Sequence, residues 1–276
     1  MTTRILSIGT AVPSARLEQP RIRDFFASQP GVDRLTARLI GAAFDQSAIG
    51  ARYSAIGRIG EEATAFTGGA PGADSADDAG GTGGSGDAGG TDDACDAGGT
   101  DDVCDAGSTD DAGDGASGAG ILRSLTTGER NAIYRSEAPP LFAAAARAAI
   151  ARSGFEAGDI THVVTASCTG FFAPGPDFLL VRDLGIPPTA ERTHIGFMGC
   201  AAAFPAIRAA THICDARPGA VVLVVCAELC SLHIRSSRDP EQIVASAVFG
   251  DGAAAALVSS AEPRAGGPVL EIDGFT

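Results

Sequence analysis

Ala220 to Ala227 reads A-V-V-L-V-V-C-A, eight residues without one polar side chain. A strand alternates its side chains between two faces, so a run apolar at every position needs cover on both sides. That requirement points to a sheet buried between helices. Other runs of strand character lie at Arg4 to Ile8, Ile160 to Ala166, Ala253 to Val258 and Val269 to Ile272. Between them fall segments of helical spacing: Arg21 to Ala27, Val32 to Phe44, Phe178 to Leu184 and Glu241 to Ala247. In the second of these, Leu35, Leu39, Ile40 and Phe44 mark the expected buried stripe. Pro139 and Pro140 are expected to open a further helix, with Leu141, Phe142, Ala145, Ala149 and Ile150 on one face and Gly154 just past its end. Strands alternating with helices predict an α/β fold with a mostly parallel, helix-covered sheet. At 276 residues and 45% hydrophobic, the chain can bury such a core.

The net charge of −14 does not describe the folded part. Between Gly72 and Gly120 lie 13 Asp and no Arg. Taking those 13 from the 34 acidic residues leaves 21 against 20 basic ones, all of them Arg. The remainder is electrostatically ordinary and offers no basic face for nucleic acid. From 68 to 120 the residues are almost all Gly, Ala, Asp, Ser and Thr, with almost nothing large and apolar and an imperfect nine-residue repeat (D-A-G-G-T-D-D-A-C from Asp87, D-A-G-G-T-D-D-V-C from Asp96, D-A-G-S-T-D-D-A-G from Asp105). The repeat lacks the apolar residue per turn that a calcium β-roll needs, so the segment reads as a disordered acidic insertion. The ordered parts are then 1–67 and 121–276.

Seven cysteines, odd in number and irregular in spacing, with no secretory signal before them, predict reduced thiols in a cytoplasmic protein. No apolar stretch is long enough to span a membrane. Cys95 and Cys104 sit inside the acidic repeat. Cys226 and Cys230 with His233 imitate metal spacing, but a strand end suits packing better, and no metal site is expected. Gly250 and Gly252 are turn glycines without the Lys-Ser/Thr of a phosphate loop.

One passage carries chemistry: R-T-H-I-G-F-M-G-C-A-A-A-F-P-A-I-R-A-A-T-H-I-C, from Arg192. Ile195, Phe197 and Met198 read as a buried strand end, Gly199 as a tight turn and Pro205 as the first turn of a helix. Its buried face is Ile207, Ala210, Thr211 and Cys214. Cys200 lies between turn and helix, where the positive helix end and free N–H groups favour a thiolate, and its small neighbours leave room for a substrate. The competing reading is a core-filling cysteine.

The runs I-G-F-M-G-C-A-A-A-F at Ile195, V-L-V-V-C-A-E at Val222 and F-G-D-G-A-A-A-A-L-V at Phe249 resemble the type III polyketide synthases, the chalcone and stilbene synthase family. So do I-T-H-V-V-T at Ile160, P-G-x-D at Pro174, T-G-E-R-N at Thr127 and S-I-G-T-A-V-P at Ser7. The likeness runs from Arg4 to about Tyr53 and from Leu122 to Thr276. It implies the N-terminal half of a thiolase-like fold, a homodimer, and no cofactor beyond CoA thioesters as substrates. Cys200 matches the acyl-carrying nucleophile, which takes the starter from an acyl-CoA and extends it by decarboxylative condensation of malonyl-CoA. Phe249 matches the gatekeeping aromatic, and Cys168, Thr169, Cys230 and His233 match positions that line or shape the cavity.

Departures accompany the match. The family's His and Asn donors belong to its C-terminal half, and no His follows His233. That half is expected to be absent, with a separate C-terminal chain as a candidate partner. Leu39, Ala42 and Gln46 occupy the places of CoA-binding basic residues in plant members, with Arg34 and Arg38 nearby; Ala173 replaces a Met that reaches across the plant dimer. A ketoacyl synthase III-like condensing enzyme and a non-catalytic dimerising remnant are the alternatives.

Overall fold

The computed structural model describes residues 2–57, 122 and 124–275. The acidic repeat, with Cys95 and Cys104, lies outside the described residues.

The central sheet is built from β1 (Arg4–Ala11), β4 (His162–Ser167), β5 (Glu191–Gly196), β6 (Val221–Leu229), β7 (Asp251–Ser259) and β8 (Leu270–Glu271). Their spatial order is β5-β4-β6-β7-β1-β8. β4 pairs parallel with both β5 and β6. β7 pairs antiparallel with β6 and with β1, and β8 pairs antiparallel with β1. Four of the six strands therefore run one way, and the sheet is mixed where β7 and β8 enter it. A separate ribbon joins β2 (Ala15–Glu18) to β3 (Ala51–Ser54).

The apolar run that demanded cover on both sides is β6. Val221, Leu223, Val225, Ala227 and Leu229 belong to one buried cluster, Val222 and Val224 to another. The first cluster is closed by α3 (Thr127–Ser153), which packs on β1, β6 and β7. The second is closed by α5 (Ala203–Ala216), whose Ala206 and Ala210 are fully buried and whose Cys214 packs beside them. Small side chains let α5 lie close to the sheet. The same economy holds in α3, where Ala138, Ala145, Ala146 and Ala149 are fully buried.

Helix α3 begins twelve residues before the expected start at Pro139. Its first turn is set by a capping box: the Thr126 hydroxyl accepts from the Glu129 N–H, and the Glu129 carboxylate accepts from the Thr126 N–H. Pro139 and Pro140 lie inside the helix. Tertiary packing of the alanine face overrides the two missing N–H donors. Gly154 ends the helix at φ 74°, as its position predicted.

The other helices are α1 (Gln19–Ala27), α2 (Arg34–Gln46), α4 (Pro176–Leu184) and α6 (Pro240–Val248). α4 packs on α3, β4 and β5, while α2 packs on both α1 and α6. Phe26 and Phe44 meet at 5.6 Å between ring centroids. The stripe expected on α2 is half right. Ile40 and Phe44 are buried, whereas Leu35 and Leu39 are exposed, because only one narrow side of α2 meets its neighbours. Among the described residues no helix is long and apolar enough to cross a membrane.

Candidate active site

Parallel strands end on the same edge of a sheet, so loops far apart in sequence converge there. β5 leads into Cys200, β4 into Cys168 and Thr169, and β6 carries Glu228 before Cys230 and His233. The register matches, with Ser167 beside Gly196 and Ala166 beside Cys226. β7 runs the other way, which brings its first residue, Asp251, opposite Leu229 and sets Phe249 at this edge too. A cavity of about 590 Å³ opens there. All six residues that the sequence singled out line it: Cys168, Thr169, Cys200, Cys230, His233 and Phe249.

Cys200 is exposed. It sits in a short helical turn, Gly199–Ala201, immediately before α5. The chain enters that turn through three unusual backbone conformations. Phe197 has φ 59°, Met198 lies at φ −88° and ψ 0°, and Gly199 has φ 66°. A bulky residue with positive φ costs on the order of 1–3 kcal/mol and persists only where its surroundings hold it. The strand end expected to be buried is not: Phe197 is 78% exposed and Met198 54%. β5 lies at the edge of the sheet, so its end has sheet on one side only.

Glu228 organises the loop opposite. Its carboxylate accepts from the backbone N–H of Cys168 (3.0 Å) and of Thr169 (3.0 Å), from the Thr169 hydroxyl (2.7 Å) and from the Cys168 thiol (3.1 Å). The Thr169 hydroxyl in turn accepts from the Leu229 N–H at 2.9 Å. The Thr169 carbonyl accepts from His233 Nε2 at 2.9 Å, which assigns the proton to that nitrogen. Burial, then the hydrogen bond and charge of Glu228, push the Cys168 thiol up to about 11. Burial pushes Cys230 up to about 12. Both remain protonated at neutral pH, so they shape the cavity as small, weakly polar groups.

Behind the cavity, Asp251 accepts from the Ser231 N–H (2.7 Å), the Ser231 hydroxyl (2.5 Å) and the Ala55 N–H (2.7 Å). Burial outweighs these donors and raises its carboxyl above the usual range. Tyr134 donates to the Ser167 hydroxyl at 2.6 Å, fixing the end of β4. Among the described residues no group of three His, Cys, Asp or Glu could hold a metal ion, so Cys226, Cys230 and His233 do not converge as ligands.

Sequence reasoning gave Glu228, the last residue of the V-L-V-V-C-A-E run, no part in the site. Its signal was present: an acidic residue at the carboxyl end of a buried strand has few reasons to be there except to hold a loop or a ligand. The cavity also includes Arg235, Gln242 and Ser246, which carried no motif of their own.

An exposed thiol beside a helix N-terminus, in a cavity walled by hydrogen-bonded loops, can accept an acyl group from a thioester and keep it activated. Comparison with known proteins gives the same direction. The family model for the N-terminal domain of chalcone and stilbene synthases matches residues 120–263. An alpha-pyrone synthesis polyketide synthase-like protein, Pks18, of Mycobacterium tuberculosis is 37% identical over 137 residues, 50% of this chain and 35% of that protein. Type III polyketide synthase 21 of Oryza sativa subsp. japonica is 43% identical over 122 residues, 44% of this chain and 31% of that protein. The match thus spans about a third of the length of these curated relatives. Among solved structures, PKS-I from the brown alga Ectocarpus siliculosus superposes with TM-score 0.68 at 25% identity, covering 97% of this chain and 58% of that one. The 1,3,6,8-tetrahydroxynaphthalene synthase of Streptomyces coelicolor A3(2) superposes with TM-score 0.64 at 20% identity, covering 94% and 57%, a likeness of fold.

Proposed function

Because this chain belongs to the chalcone and stilbene synthase family, matching its N-terminal domain over residues 120–263, we propose that Cys200 is an acyl-carrying nucleophile of type III polyketide synthase chemistry. The supporting observation is the exposed Cys200 thiol lining the same cavity as Phe249, Cys168, Thr169, Cys230 and His233.

The Cys200 thiolate attacks the thioester carbonyl of an acyl-CoA starter. A new C–S bond forms, and the CoA thiolate leaves with the proton that Cys200 gave up. Exchange of one thioester for another costs little free energy, so the acyl group stays activated. Malonyl-CoA then loses CO2. Its enolate carbon attacks the Cys200 thioester, forming a C–C bond and releasing the cysteine thiolate. Phe249, 47% exposed, stands at the cavity as an aromatic gate for the incoming acyl chain. Glu228 acts one step removed, holding Cys168 and Thr169 where they form the wall.

We read the active form as a cytoplasmic homodimer. The β5 edge and the exposed Phe171, Phe197 and Met198 beside it support the dimer, since an open sheet edge and apolar side chains favour a protein partner. A separate chain supplying the rest of the family fold is the other proposed partner.

The test is mass spectrometry of the Cys200 peptide after incubation with a fatty acyl-CoA starter and labelled malonyl-CoA. Acylation of Cys200, lost in Cys200→Ala, is the expected result. Acylation without a pyrone or naphthol product assigns this chain the loading step, while product assigns it the condensation as well. No acylation in a sample folded by circular dichroism overturns the proposal.

A further inference from the structure

Arg52 is 6% exposed and sits on the two-stranded ribbon, far in sequence from the cavity it adjoins. Its guanidinium spends its donors on neutral acceptors. Nη1 donates to the carbonyls of Ser246 (2.5 Å) and Phe249 (2.8 Å), and Nη2 to that of Ala247 (2.7 Å). Nε and Nη2 both donate to Gln19 Oε1, at 3.1 and 2.7 Å. Gln19 Nε2 donates to the same Ala247 carbonyl at 2.8 Å. The guanidinium carbon lies 5.3 Å from the centroid of the Phe44 ring.

The three carbonyls belong to the end of α6 and the residue after it, where a helix leaves acceptors unpaired and presents partial negative charge. A planar fork is suited to gather several acceptors at once, which an ammonium cannot do. Burial pulls the Arg52 guanidinium down to about 10, so it stays charged at neutral pH. Two of the three carbonyls belong to cavity residues, Ser246 and Phe249. Directly after them, a Cβ on Gly250 would lie 3.3 Å from the Arg52 Cβ, so turn and ribbon are in close contact.

We propose that Arg52 is a positioning residue that holds the backbone of Phe249 by its carbonyl and thereby fixes where the aromatic ring stands at the cavity. The consequence for starter choice rests on the acyl-transfer reading above; the positioning itself does not. Without Arg52 the segment from Ser246 to Phe249 keeps its helical bonds and the Gln19 contact at Ala247 but loses the hold on the Phe249 carbonyl, and the ring at 249 samples more solvent.

The chain contains no Trp, so Phe249→Trp introduces a single indole reporter. In that background, Arg52→Met is expected to raise acrylamide quenching of the indole at least about twofold, the mark of local opening without global unfolding. Arg52→Lys, which keeps the charge but loses the fork, should fall between. Ile243→Val, a core change in α6 that removes none of the guanidinium's hydrogen bonds, should leave quenching at the parent value. Unchanged quenching in folded Arg52→Met overturns the proposal, as does an equal rise in Ile243→Val. If Arg52→Met does not fold, Arg52→Lys decides, and quenching identical to the parent overturns it. With Phe249 intact, Arg52→Lys should also alter the KM for long acyl-CoA starters more than the maximal rate of Cys200 acylation. Failure of Cys200 to acylate in the unsubstituted chain overturns the acyl-transfer reading, and the quenching result alone then decides the role of Arg52.

Discussion

Glu228 is the residue on which the cavity wall depends. One carboxylate satisfies two backbone N–H groups, a hydroxyl and a thiol. Hydrogen bonds to a charged acceptor are each worth about 1.5–3 kcal/mol, so its removal costs more than one ordinary contact. It also helps keep Cys168 protonated, since after burial its hydrogen bond and negative charge are the causes that raise that thiol. Glu228→Gln removes the charge. The sign follows: the Cys168 thiol should titrate below its present value of about 11, while remaining above the ordinary range because burial persists. The pH dependence of Cys168 alkylation, read peptide by peptide, measures this, and an unchanged or raised midpoint would show that the carboxylate is electrostatically silent. The placement of Cys200 between a turn and a helix was legible from sequence because that signal is local, a glycine before and a helical run after. The exposed, positive-φ Phe197 was not, because its exposure follows from the edge position of β5, which only the strand order of the sheet decides.

At the scale of elements, the packing of α3 on β1 shows how much of the fold depends on missing side chains. A Cβ on Gly9 would lie 2.3 Å from the Ala149 nitrogen and 2.5 Å from the Ala145 carbonyl oxygen. Both are backbone atoms of a helix and cannot rotate away. Ser7 strengthens the same contact, donating to the Ala149 carbonyl at 2.7 Å. Gly9→Ala should therefore destabilise the chain by about 3 kcal/mol, the upper part of the range for overpacking a close-packed interior. Urea denaturation measures it, and a loss within about 0.5 kcal/mol, the size of an ordinary surface change, would mean that α3 can yield. The sequence showed β1 and the alanine face of α3 separately. That Ser7 and Ala149 meet, 142 positions apart, is a fact of the packed state. The early start of α3 was in principle readable from Thr126 and Glu129, but the two prolines spoke against it, and the buried face decided.

At the scale of the whole molecule, the apolar surface exposed among the described residues beside β5 carries the prediction. Phe171 and Phe197 stand 6.2 Å apart between ring centroids, both exposed, next to Met198 and the outer edge of β5. The proposed homodimer covers this patch with a second copy. Sedimentation equilibrium should show a dimer, and Phe197→Asp should shift it towards monomer by placing a charge in the interface. A chain that remains monomeric in that measurement would exclude this face as the dimer surface. What the sequence determined by itself is whatever is written in neighbours along the chain: a strand buried on both sides, helices that cover it, and a cysteine between a turn and a helix. Tertiary structure alone decided that β7 runs antiparallel, that Leu35 and Leu39 face solvent, that Glu228 holds the loop of Cys168 and that Arg52 grips Phe249 from 197 residues away. The physical reason is that hydrophobic periodicity is a property of one segment, whereas a hydrogen bond to a buried charge exists only once segments distant in sequence have been brought together and water has been excluded between them.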